Sequence, residues 1–109
     1  MEDQYKNQNT MNKDEKHYIK IIEKIIELRA DSWDEIKNQI RIHDSNDKTI
    51  LCYVKDLKEL FIDRSVIETM KDTLPWEAMD YVKPAAKKYF LSQIEGEHDI
   101  RTVSVAGIV

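Results

Sequence analysis

Residues 49–62, TILCYVKDLKELFI, decide the fold. Read at the helical period, Ile50, Val54, Leu57 and Phe61 form one stripe; read as a strand, Thr49 to Val54 is a compact apolar run. The choice governs the far end of the chain. Residues 99–106, DIRTVSVA, put Val103 and Val105 on one face and Ile100 and Ala106 on the other, and a lone strand leaves its backbone N–H and C=O groups without partners. With a strand at 49–54 the tail pairs inside one chain. With a helix there, the tail pairs with a second copy or another protein, or stays unpaired. The expectation is a strand over 49–54, a short helical turn over 56–61, and a two-stranded element made from 49–54 and 99–106.

The rest of the chain reads as helical. Of 109 residues only two are glycine, Gly96 and Gly107, so the long stretch before Gly96 lacks the residue that most readily supplies the positive φ of tight hairpins. From Asp14 to Ala30, Tyr18, Ile21, Ile22, Ile25 and Leu28, with Ile19 and Ile26 alongside, follow the spacing of one helical face. Ser32 and Glu35 match a capping box, which predicts a second helix from Trp33 with Trp33, Ile36 and Ile40 inward, ending at the turn-forming run Asp44 to Asp47. Ser65 and Glu68 match another, with Val66, Ile67 and Met70 inward. Pro75 suits the first turn of a helix through Val82 with Trp76, Met79 and Val82 on one face, and Pro84 starts or kinks a last helix through Ala86, Phe90 and Ile94, flanked by Tyr89, that stops near Gly96. The fold class expected is therefore mainly α (α+β): four to five short helices with a small two-stranded β element that includes the C-terminal strand. One domain spans residues 13–109, preceded by a polar, flexible segment over residues 1–12.

Composition bounds function more than it identifies it. The chain carries 17 Lys plus Arg against 21 Asp plus Glu, for a net charge of −4, with the signs interleaved along its length. A nucleic-acid binder needs cations gathered on one face, and the only local enrichment, Lys83, Lys87 and Lys88, reads as a solvated helix face. No apolar run is long enough to span a membrane or to form a leader, which makes the cytoplasm the expected location. A lone cysteine, Cys52, sits inside an apolar run and reads as inert packing. Thirteen lysines against four arginines, with fourteen isoleucines, fit AT-rich coding, as in a low-GC bacterium or its phage.

Candidate chemistry is sparse. Glu95, Glu97, His98 and Asp99 form the densest set of possible metal or acid–base groups, but no second histidine, nucleophile or rigid glycine scaffold stands near them, and they read as a solvated turn. Asp44 to Thr49 opens like a calcium loop and then fails, with Lys48 where an oxygen ligand belongs and Thr49 where the glycine belongs. His17 and His43 read as helix-end residues, and Trp33 as a core anchor. No catalytic, metal or cofactor residue is assigned. What remains is an acidic protein-interaction module of the inhibitor, immunity or regulator type, binding a macromolecular partner through Trp76, Tyr81, Val103 and Val105. A homodimer through the C-terminal strand or the first helix is open, and the alternative function is a winged-helix-like nucleic-acid-binding regulator with residues 65–73 as its third helix.

Overall fold

The computed structural model describes residues 13–108; the flexible segment expected over residues 1–12 lies outside them. Helix α1 (Lys13–Arg29) leads into four antiparallel strands, β1 (Ala30–Ile36), β2 (Gln39–Asp44), β3 (Thr49–Val54) and β4 (Glu59–Asp63). Helix α2 (Arg64–Thr73), a 3-10 turn (Trp76–Tyr81) and helix α3 (Val82–Gln93) then cross back, and β5 (Thr102–Ala106) joins β4 in parallel. The sheet order is β1-β2-β3-β4-β5.

This overturns the mainly helical reading: the fold is α+β, three α-helices on a five-stranded mixed sheet. The largest error is the second helix. Residues 30–44 form the β1–β2 hairpin, in which Ile36 faces Gln39. Its strand signal lies in Ile40 and Ile42, buried on one face between Gln39, Arg41 and His43 on the other, a period of two that the capping-box match obscured. Trp33 sits on the edge strand, 49% exposed, and is no core anchor.

Scarcity of glycine does not prevent hairpins in this chain. All three hairpin turns use a non-glycine residue in the left-handed region: Lys37 (φ 55), Asp47 (φ 66) and Lys58 (φ 53). Such a conformation costs an L-residue about 1–2 kcal/mol, offset here by local bonds. In the β2–β3 turn the Asp44 carboxylate accepts from the backbone N–H of Asn46 and of Lys48, both at 2.9 Å.

The strand at 49–54 is as expected, but the tail's partner is not. The helical turn expected over 56–61 is instead β4, and β5 pairs with β4, Leu60 beside Val103 and Ile62 beside Val105. Leu57, counted into the helical stripe, points away and is exposed. Residue Ile50 is an extra residue in β3, since His43 faces Thr49 while Ile42 faces Leu51. Such a bulge turns two successive side chains toward one side. Both Ile50 and Leu51 are accordingly buried in the core while Thr49 faces the other way, toward His43 and Arg41.

The core lies between the helices and one sheet face. Ile19, Ile22 and Ile26 of α1, Val66 and Met70 of α2, and Ala85, Ala86 and Phe90 of α3 close on Ile40, Ile42, Leu51, Tyr53, Leu60 and Ile62. The buried stripe of α1 is thus offset from the one read in the sequence, and Leu28 is exposed. Helix α2 starts at Arg64, capped by Asp63 and not by a Ser65–Glu68 box, and Trp76 to Tyr81 wind as a 3-10 turn. Pro84 falls in the first turn of α3, where its missing N–H is no loss.

Replacing Lys37 by glycine is expected to raise stability by about 0.5–1 kcal/mol, the left-handed penalty less glycine's extra chain entropy. Lys37→Val should lower it. Urea unfolding of the two variants beside the parent chain checks both signs.

Candidate protein-docking site

Among the described residues β5 is the last strand of the sheet, and no strand pairs with its outer edge. Its sequence, TVSVA, contains no charge, no proline and no bulge. The opposite edge, β1, is built differently: it carries Asp31, Asp34 and Glu35, and its register shifts between Ala30 and Ser32. Inserted charges and irregular register are the usual protections of an edge against strand addition. One edge of this sheet is guarded and the other is not.

Beside the unguarded edge lies a groove of about 390 Å³ whose apolar wall is Ile67, Trp76, Met79, Val82 and Val105. It forms where α2, the 3-10 turn and the start of α3 cross the helix-covered face at β5. Trp76 is 82% exposed and Val105 37% exposed. The rim is of mixed sign, with Lys71, Lys83 and Asp80; Lys71 pairs with Glu68 at 3.5 Å.

Two of the four residues proposed from the sequence, Trp76 and Val105, therefore meet in one groove. Val103 lies on the same face of β5 but packs partly against the core. Tyr81 points toward α1, where its ring stacks on Tyr18 with centroids 5.8 Å apart and planes 20° apart. Burial, then the carboxylates of Glu15, Asp80 and Asp14, push its phenol above the usual tyrosine range. Ile67 and Val82 were not singled out as contact residues; in the sequence each reads as one more inward position of its helix.

Both ends of β5 are fastened. The carbonyl of Lys58, turned outward by its left-handed backbone, accepts from Arg101 N–H at 2.8 Å and Thr102 N–H at 3.4 Å. At the other end Asp63 accepts from Ser65 N–H at 3.0 Å through one oxygen and from Ile108 N–H at 2.9 Å through the other. One buried carboxylate thus starts α2 and secures the chain beyond β5. Burial raises the Asp63 pKa, but these hydrogen bonds and the Lys48 ammonium at 3.6 Å outweigh it and hold the carboxyl below the ordinary aspartate value.

Comparison with known protein families, curated proteins and solved structures finds no match.

The remaining clusters have local work. His98, from the acidic turn, packs its ring edge-on against Tyr53 and Phe90, and its Nε2 lies 2.9 Å from the Glu95 carbonyl. Asp99 accepts from Arg101 at 3.1 Å, and its carbonyl accepts from the Tyr53 hydroxyl at 2.7 Å. The turn closes one end of the core, and among the described residues no three His, Cys, Asp or Glu side chains gather as a metal set.

On the sheet face away from the helices, Asp34 lies 3.3 Å from His43 Nε2, and His43 Nδ1 lies 3.1 Å from Thr49 Oγ1. Carboxylate, imidazole and hydroxyl in a row are the order of an activated nucleophile. Here the Thr49 hydroxyl is buried and accepts from the Arg41 guanidinium at 3.3 Å. It is therefore held in place, not presented to a substrate. Cys52, opposite Arg41, is buried, and burial pushes its thiol above the usual range despite that guanidinium, so it is a poor nucleophile. No helix among the described residues is long and apolar enough to cross a membrane.

Because the folded Asp63 pKa lies below the unfolded one, its contribution is present at neutral pH and is lost as pH falls through about 4 toward the folded value. Asp63→Ala is expected to cost about 2 kcal/mol at neutral pH. Urea titrations at neutral pH and near pH 3 should show this difference shrinking in acid.

Proposed function

We propose that this chain is a non-catalytic protein-binding module that takes up another polypeptide by strand addition along β5, with an apolar side chain of that polypeptide seated beside Trp76. The observation that carries this reading is the contrast between the two sheet edges, one protected by charge and bulge and the other bare and adjoining an apolar groove. Strand addition derives affinity from main-chain hydrogen bonds and selectivity from pockets that receive alternate side chains. On the helix side of β5 the groove is placed to receive one such side chain. A tryptophan held out on a rigid turn is a common energetic centre of an interface.

The inhibitor, immunity or regulatory role belongs to the same proposal: a module that takes up a partner's strand acts by occupying its partner's surface. The winged-helix alternative has lost its framework, since its second helix is the β1–β2 hairpin. Residues 65–73 do form a helix, but it lies in the crossover and itself carries Glu68 and Asp72, and on the sheet face away from the helices Arg41 is set among Asp34, Glu59 and Asp63. That charge pattern does not suit a phosphate backbone.

A photoreactive residue at Lys83, on the groove rim, is expected to crosslink in cells to one defined polypeptide, identified by mass spectrometry. The adduct should disappear with Trp76→Ala, while a probe at Asp56, far from the groove, gives none. Trp76→Ala itself should shift stability by no more than about 0.5 kcal/mol, as for an exposed side chain. Absence of a Lys83 adduct, or an adduct indifferent to Trp76, rules the docking surface out.

A further inference from the structure

Resting on the strand-addition reading, we infer that the polypeptide taken up by β5 is β5 of a second copy of this chain, paired antiparallel about a two-fold axis at Ser104. Three features point to self-association.

The first is electrostatic. A strand paired with itself across a two-fold places each residue opposite a residue of the same strand, so any charge on it meets a like charge at or near its own position. With its middle at Ser104, the segment Thr102–Ala106 sets Thr102 against Ala106, Val103 against Val105 and Ser104 against Ser104, and not one residue is charged. Strand β1 paired in this way, about Trp33, would set Asp31 of each copy against Glu35 of the other, which is unfavourable. Only the β5 edge is self-compatible.

The second is the pleat. Antiparallel pairing keeps opposed residues on one face, so Val103 and Val105 of both copies form a continuous apolar row on the helix-covered side. An antiparallel junction of two sheet edges also puts both helical layers on the same side of the joined ten-stranded sheet. Val105, which lines the groove with Trp76, stands one residue from the axis, so the two grooves flank it.

The third is the rim. Lys71 and Lys83 stand on the same groove as Asp80, with Glu77 next to Trp76. A surface tuned to a partner of opposite charge carries one sign, whereas a rim holding both signs can complement its own copy across a two-fold. Closed two-fold pairing also consumes the bare edge, so assembly stops at two copies.

The test combines mass and register. Light scattering of the full chain over a concentration series should give twice the mass of one chain. Ser104→Lys brings like charges directly opposite across the axis, whereas within one chain its ammonium can replace the existing Ser104–Glu59 hydrogen bond with an ion pair. This variant should keep its circular dichroism and raise the dimer dissociation constant by at least about tenfold. In a Cys52→Ser background, Ser104→Cys should oxidise to a linked pair, Thr102→Cys alone should not, and Thr102→Cys mixed with Ala106→Cys should. A single-chain mass at every concentration overturns the inference, as does a dimer that ignores Ser104→Lys or links equally through Ile36→Cys on β1. If the mass is single while the Lys83 probe still captures another protein in a Trp76-dependent way, self-pairing falls and strand addition stands. If the Lys83 probe also yields nothing, both fall.

Discussion

Everything in this structure depends on the parallel pairing of β5 with β4. A strand can follow its neighbour antiparallel through a two-residue turn, but a parallel neighbour requires the chain to travel back across the sheet first. Here that return consists of α2, the 3-10 turn and α3, which bring Val66, Met70, Ala85, Ala86 and Phe90 onto the sheet. The same path that builds the core leaves β5 outermost and opens the groove at Trp76. Core and candidate site are two results of one connection.

Polar side chains do the work that glycine does in other hairpins. Asp44 organises the β2–β3 turn and also accepts from Arg29 at 3.1 Å, which joins the end of α1 to the hairpin. Asp63 caps α2 and holds Ile108. Lys58 turns its carbonyl to the incoming tail. Each of these groups satisfies backbone donors or acceptors that a glycine turn would leave to solvent, and each fixes the position of a second element as it does so.

The two faces and two edges of the sheet divide the functional possibilities. One face is filled by helices. The other carries the Asp34–His43–Thr49–Arg41 clasp, in which every group is engaged with its neighbour. The β1 edge is charged and bulged. Among the described residues, the β5 edge alone joins an outer side with no paired strand, uncharged side chains and an adjoining apolar hollow, and the proposal of strand addition rests on that combination.

Local signals in the sequence were sufficient for α1, for the helix expected over 65–73 and for the last helix, because each has a helical period that one segment carries by itself; the strand at 49–54 was one of two readings of its segment, and pairing with β2 and β4 decided it. Trp76 and Val105 were also legible as unplaced apolar residues. Residues 30–44 were not legible, since Trp33, Ile36 and Ile40 suit a helix while Ile40 and Ile42 suit a strand, and burial against α1 and α3 selects between them. Nor was β4, whose Leu60 and Ile62 become a strand by having β3 on one side and β5 on the other. The sequence by itself determined which segments are apolar and which turns carry charge. Only the tertiary structure decided that the tail runs parallel to β4, because strand pairing joins distant segments and its energy appears in no single window of the chain.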